Sequence, residues 1–374
     1  MKRILISDAH IESNELEYVK KAFKKNQLSL HGENLDALEN NLKHYLKENV
    51  HVACLSSGTA AIHLALVQLG VGLNDEVLCQ SMTFAASAFP ITYQGAKPIF
   101  IDSEAETWNM CPIHLEEAIK DRISKGKKPK AIIIVHLYGM PAKVDELLDV
   151  ANKYKIPIVE DAAEALGSIY KGRMCGTFGD FSILSFNGNK IITTSGGGAM
   201  VCNTLEKKEN TIFLATQARD QAPHYQHSQI GYNYRMSNIS AGIGRGQMEV
   251  LDKHLKMRRE MNTFYKELFK DTKGVTVFTE VNQNRFSNHW LSCIIIGENA
   301  PFTKNEMYHK MTEANIETRP LWKPMHLQPV FKNAPYYGSN ISETLFNSGL
   351  CLPSGSNLTK QERERIYRVV ESLK

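Results

Sequence analysis

Apolar residues in this chain follow two different periods. Leu16, Val19, Ala22 and Phe23 share one helical face, and Leu35, Leu38, Leu42 and Tyr45 repeat that spacing over 34–46. A polar, turn-rich NQLSLHGEN segment separates the two. Short unbroken apolar runs follow at 51–55, 76–79, 98–101, 131–136, up to Val159, and at 181–186. Helical patterns lie between them, after Ser56 and over 113–119 and 144–154. Such alternation predicts an α/β protein whose parallel sheet is covered on both faces. A long helix is expected over about 237–267. Beyond it, strands at 275–278 and 290–296 alternate with helices in another order and predict a smaller α/β domain. The expected division is 1–249 and 250–374, with residues 1–12 packing near the smaller unit.

Composition narrows the class. At 374 residues the chain is long enough for two or three domains. With 43% apolar and 22% charged residues it can build a core and is not a disordered chain. Lys and Arg number 44 against 40 Asp and Glu, and an excess this small gives no reason to expect a nucleic-acid or membrane partner. The basic cluster at 125–130 reads as solvated surface. Seven cysteines, an odd number without a CxxC pair, argue against a disulfide frame or zinc site and for reduced thiols in a cytoplasmic protein. The N-terminus has no apolar signal-like region, and no run approaches the length of a membrane helix.

Candidate chemistry is concentrated in 158–200, IVEDAAEALGSIYKGRMCGTFGDFSILSFNGNKIITTSGGGAM. Asp161 ends one predicted strand, Lys190 follows another, and a glycine run over 196–198 closes the segment. Read singly, such an Asp is a turn residue or helix cap and such a Lys a solvated charge. Together at two strand tips they form the pair that a pyridoxal phosphate (PLP) enzyme needs. The lysine holds the cofactor as a Schiff base, and an ionised carboxylate keeps the pyridine nitrogen protonated, so the ring remains an electron sink. Upstream, Ser57, Gly58 and Thr59 open a helix, where free N–H groups favour an anion. Plain N-capping explains the same residues; the presence of Lys190 favours phosphate. Glu164 shares a helical face with Asp161 or is a surface charge, and Phe84 taken alone is a core aromatic. The polar stretch 217–231 is long enough to suggest function, and His224 and His227 lack further ligands for a metal.

The blocks VEDAAEALGS and SFNGNKIITTSGGGAM closely resemble the DegT/DnrJ/EryC1/StrS family of PLP-dependent nucleotide-sugar aminotransferases. The resemblance runs from SSGTAAIHLAL near Ser56 to CLPSG near Cys351, nearly the whole chain. Within the family, NGNKIITTSGGG and ETRPLWKPMH are most similar to UDP-4-amino-4,6-dideoxy-N-acetylglucosamine transaminases of bacillosamine-type pathways. The resemblance implies PLP-transferase fold type I, like aspartate aminotransferase, with a mainly parallel seven-stranded sheet in the large domain. It implies PLP on Lys190, Asp161 at the ring nitrogen, and Ser57, Gly58, Thr59 and Ser185 around the phosphate. Phe84 is implied to stack on the ring, with Glu164 near ring or substrate. Asn233, within GYNYRMSN, is implied to cross a homodimer interface to the other subunit's phosphate. His10, Asn187, Arg319, Trp322 and His326 are implied to border the substrate. The implied reaction moves the amino group of L-glutamate to C4 of a nucleotide-linked keto sugar, expected to be UDP-2-acetamido-2,6-dideoxy-4-keto-glucose. The NQLSLHGEN loop departs from the family wording, which is richer in Pro and Gly. Three alternatives stand beside this reading. One is a GDP-linked 4-keto-6-deoxymannose or a 3-keto sugar as acceptor. Another is a non-catalytic binding protein on the same scaffold. The third is a related dehydratase class, in which histidine replaces the lysine; Lys190 argues against it.

Overall fold

Each short apolar run becomes a strand, because a segment buried on both faces needs no polar alternation. The computed structural model describes residues 2–374. In chain order come α1 (Glu15–Lys24), α2 (Glu33–Leu46), β1 (His51–Leu55), α3 (Gly58–Gln68), β2 (Glu76–Gln80), α4 (Ala85–Tyr93) and β3 (Lys97–Ile101). Then follow α5 (Pro112–Ser124), β4 (Ala131–Val135), α6 (Val144–Tyr154), β5 (Ile158–Asp161), β6 (Ile169–Tyr170) and β7 (Arg173–Met174). After β8 (Phe181–Ser185), β9 (Gly198–Cys202) and α7 (Leu205–Ala215), the chain enters the long α8 (Asn238–Phe269).

The large sheet has the order β1-β9-β8-β5-β4-β2-β3, and β9 alone of these runs antiparallel to its neighbours. Successive residues of one strand face opposite layers. Ile133 packs with α3 and α4 side chains, whereas Ile132 and Ile134 pack with Leu115, Ile119 and Leu147 of α5 and α6. The sheet carries an eighth strand beyond the expected seven: β14 (Tyr336–Tyr337), from the C-terminal region, pairs parallel with β3. Two residues of strand leave no readable period, so this edge was invisible in the sequence.

Past α8 lie β10 (Val275–Val277), β11 (Arg285–Phe286), β12 (Ser292–Ile296), α9 (Lys304–Glu313) and β13 (Arg319–Pro320). After β14 come α10 (Ile341–Ser348), β15 (Gly349–Leu352) and α11 (Lys360–Glu371). An antiparallel sheet, β10-β12-β15-β13, forms here. The long helix serves both units. Leu251 and Leu255 pack with Leu35, Leu38 and Leu42, while Met261, Tyr265 and Phe269 pack with Ile294 and Leu352 of the smaller sheet. Ile4 joins that second cluster by pairing with Ile316.

The apolar face expected on α1 docks only in part. Leu16 and Phe23 are 60% and 61% exposed, while Ala22 of that face is buried together with Glu15. Gln247 of α8 donates to Glu15 Oε1 at 2.6 Å. Gly246 explains the choice: a Cβ there would sit 2.5 Å from the Glu15 nitrogen, so only glycine lets the two helices approach this closely.

Candidate active site

The parallel strands aim their carboxyl ends at one side of the large sheet, where open α/β sheets place their ligands. A cavity of about 620 Å³ lies there. Asp161 at the tip of β5, Ser185 at the tip of β8, and Ser57, Gly58 and Thr59 at the start of α3 form part of its wall. Glu164, Asn187, Lys190 and Phe84 complete the large-domain side; Arg319 and Trp322 come from the C-terminal unit.

Asp161 is buried and hydrogen-bonded through both oxygens. Ser87 Oγ donates to Oδ2 at 2.6 Å, and the Ala163 N–H donates to Oδ1 at 3.1 Å. Thr83 and Ser87 hydroxyls lie 2.7 Å apart, which extends the chain of contacts back to the start of α4. The carboxylate is therefore held in one orientation by groups that do not themselves ionise.

Lys190 projects from a short loop closed by its own N–H on the Asn187 carbonyl at 3.0 Å. Its Nζ donates to Glu164 Oε1 at 3.2 Å and lies 4.2 Å from the centre of the Trp290 ring. Trp290 is fixed in turn by donating Nε1–H to the Asn189 carbonyl at 2.8 Å. Beneath the loop, buried Arg258 donates to the carbonyls of Lys190 and Trp290. Glu164 also accepts the Tyr138 N–H at 2.8 Å. Burial pushes the Glu164 carboxyl up to about 7, although the Lys190 charge opposes that rise. Tyr138 adopts φ of 54°, an uncommon backbone for a non-glycine residue.

At α3, the Ser57 hydroxyl accepts the Ala60 N–H at 3.0 Å, so it caps the helix as well as lining the cavity. The first-turn N–H groups of Gly58 and Thr59 have no acceptor within the helix and belong to cavity residues. β9 presses against this terminus: a Cβ on Gly198 would lie 2.4 Å from the Gly58 nitrogen. Phe84, 56% exposed, presents its ring to the same space. An anion cradle, a flat aromatic, a buried carboxylate and an amine thus line one cavity, and this donor set fits PLP.

Three expected site residues lie outside this wall. His10 is on the N-terminal segment, where its ring stacks on His254 and Nδ1 faces Ser356 Oγ at 3.1 Å. His326 is pinned below the cavity, with Nδ1 at 2.7 Å from Ser81 Oγ, Nε2 at 3.1 Å from Glu343, and its ring on Tyr336. The Met325 N–H bonds the Ser81 carbonyl and draws that loop onto the end of β2. Asn233 is exposed, bridges to Thr216, and is not among the residues lining the cavity. Other cavity residues were not anticipated: Thr83, Asn189, Trp290, Glu317 and Lys323. Glu317 and Lys323 stand within or beside the quoted ETRPLWKPMH block and could have been found there. Trp290 carries no local signal.

The family profile for DegT/DnrJ/EryC1/StrS aminotransferases matches residues 9–374. The chain belongs to this family. It is a PLP-dependent transaminase of fold type I. Across its whole length it is 47% identical to EpsN of Bacillus subtilis, a candidate pyridoxal phosphate-dependent aminotransferase, and covers 96% of that protein. It is 35% identical to GDP-perosamine synthase of Escherichia coli O157:H7, again over the whole chain and 98% of the relative. The PLP form of the candidate sugar aminotransferase Spr1654 from Streptococcus pneumoniae superposes with a TM-score of 0.89 at 26% identity, covering 100% of both chains. Among the described residues no helix is long and apolar enough to cross a membrane. One of these relatives is a GDP-perosamine synthase, so membership alone does not single out a bacillosamine-type acceptor.

Proposed function

We propose that this aminotransferase moves the amino group of L-glutamate to C4 of UDP-2-acetamido-2,6-dideoxy-4-keto-glucose. The product is UDP-4-amino-4,6-dideoxy-N-acetylglucosamine, made in the cytoplasm by a homodimer for glycan assembly. The observation that carries a nucleotide-sugar reading is the cavity's composition from floor to mouth. Its floor holds Lys190 and Asp161; its mouth holds Arg319, Lys323 and Trp322. Arg319 and Lys323 supply positive charge for a diphosphate or for the glutamate carboxylates. Trp322 lies 5.5 Å from Phe84 and offers an apolar face for a sugar ring or its 6-methyl group. Glu317 holds the Arg319 guanidinium at 2.9 Å and itself accepts the Ile6 N–H at 3.2 Å, which sets where that charge points.

PLP, when bound, supplies the electron sink that lets an amino group leave one substrate and enter another. The protein's residues do the remainder. With PLP bound, Asp161 would hold negative charge at the ring nitrogen, and the Lys190 amine would take and return the proton at the substrate carbon. Trp290 and Glu164 fix the path of that amine. Because Lys190 approaches from one side only, it delivers the proton to one face of C4 and sets the product's configuration, which we take to be equatorial.

The UDP assignment rests on the wording of NGNKIITTSGGG and ETRPLWKPMH. The 35% identical GDP-perosamine synthase favours a second reading, a GDP-linked 4-keto-6-deoxy sugar. Turnover of both nucleotide sugars with glutamate, with C4 configuration read from proton coupling constants, separates them. Faster turnover of the UDP compound with an equatorial amine is expected. Preference for the GDP sugar, or an axial amine, overturns the assignment.

A further inference from the structure

Two imidazoles and one carboxylate meet outside the active site, where the N-terminal segment crosses α8. His10 and His254 stack with ring centroids 4.5 Å apart and planes 11° from parallel. Both rings turn Nε2 to Glu12: His254 stands 3.0 Å from Oε1 and His10 3.7 Å from Oε2. One donor atom from each of the three residues lies within 4.8 Å of the others. Lys253 Nζ holds Glu12 Oε2 at 2.5 Å and so orients the carboxylate.

Hydrogen bonding alone leaves this cluster under-satisfied. A neutral imidazole has one donor and one acceptor nitrogen. If His254 donates from Nε2 to Glu12, its Nδ1 is a buried acceptor, and that atom has no hydrogen-bond partner among the described residues. His10 Nε2 is itself beyond hydrogen-bonding distance of Glu12. A cation between the two Nε2 atoms resolves both defects. The His254 proton then sits on Nδ1, the outer nitrogen, as a metal-bound histidine requires. The buried cluster of His136, Glu160 and Cys175 differs. There Glu160 accepts from His136, the Gly176 and Phe178 N–H groups and Ser182, and His136 Nδ1 accepts the Ala142 N–H, so no ligand is needed.

We propose that His10, Glu12 and His254 form a site for a divalent transition metal. Zn²⁺ suits two imidazoles and a carboxylate with a position left for water. The ion ties the N-terminal segment to α8 beside Ile191, the residue after Lys190. All seven cysteines are buried, so thiols do not compete for it in the folded chain. Dialysis of the tag-free holoenzyme against Zn²⁺, with metal counted by mass spectrometry, is expected to give about one ion per chain and a raised Tm. His10→Phe keeps a ring on His254 but removes a ligand, and Glu12→Gln removes the anionic one. His10→Phe also loses the contact to Ser356 Oγ and Glu12→Gln weakens the pairing with Lys253 and His254, so each variant's Tm is compared with and without Zn²⁺ against its own metal-free value. Each should bind Zn²⁺ at least about tenfold more weakly and lose the Tm rise. No uptake by the wild type, or equal uptake by wild type and both variants, overturns the site.

Discussion

Ser87 supplies the shorter of the two hydrogen bonds on Asp161, at 2.6 Å, from a helix the carboxylate does not belong to. Removing the charge and removing its support should therefore differ in kind. Asp161→Asn is expected to retain PLP but lower turnover roughly 10²–10⁴-fold, because an amide does not hold a protonated ring nitrogen. Ser87→Ala leaves the charge and frees its direction, with a loss of about tenfold expected. Steady-state rates of both variants, with bound PLP measured by absorbance, check the pair; equal losses would place the hydroxyl on the same footing as the carboxylate. Glu164 gives a pH signature. Its folded-state pKa is raised from 4.5 to about 7, chiefly by burial, so the folded chain holds this proton more tightly than the unfolded chain. That contribution to stability is complete below about pH 4.5 and is lost as pH rises through about 7. Its size is on the order of 3 kcal/mol at most. In the cofactor-free protein, Glu164→Gln should flatten the fall of the urea midpoint across this window. An unchanged slope would show that Glu164 is ionised throughout.

At the scale of elements, the anion cradle depends on how closely β9 lies against α3. A methyl group on Gly198 would meet the Gly58 nitrogen at 2.4 Å and the Ser57 carbonyl carbon at 2.5 Å, both backbone atoms that cannot swing aside. Gly198→Ala should shift the α3 terminus, cost about 1–3 kcal/mol of stability, and weaken PLP retention. A dialysis time course of bound cofactor checks this, and unchanged retention would mean the phosphate is held elsewhere. This junction was half legible. SSGTAA after an apolar run reads as a strand turning into a helix, and the glycine run reads as the close of its segment. That the two touch is a tertiary fact with no local trace. The same limit hid Ser87 and Trp290, which reach Asp161 and Lys190 across 74 and about 100 residues of chain. It also shifted α1: four apolar residues at helical spacing suggested a core face, yet only Ala22 of them is fully buried, because the close approach at Gly246 on a distant helix docks α1 through Glu15 as well. Long strands and the Asp161–Lys190 pair were readable because burial and chemistry leave period and wording in adjacent residues.

For the whole molecule, the exposed apolar surface and the placement of Asn233 bear on assembly. Leu16 and Phe23 lie open on α1, and Tyr225 and Ile230 in the 217–231 loop are 79% and 82% exposed. Single exposed apolar residues are ordinary; Tyr225 and Ile230 share one long loop, which makes that loop the candidate contact surface. Asn233 lies just past this loop, is exposed, and is not among the residues lining its own chain's cavity. Ser56 N–H bonds the Tyr234 carbonyl and Arg235 pairs with Leu55, which fixes the backbone after Asn233 at the end of β1. In a two-fold homodimer each site would then take Lys190 from one chain and Asn233 from the other. Lys190→Ala should be inactive alone, and Asn233→Ala should lose PLP readily. Mixed in equal amounts and allowed to exchange subunits, they form heterodimers in which one site carries both defects and the other carries neither. Half the dimers are mixed and half of their sites intact, so about a quarter of wild-type activity should return. Light scattering confirms the dimer, and differently tagged subunits verify exchange. If exchange is complete and no activity returns, Asn233 serves its own chain, and the interface does not build the active site.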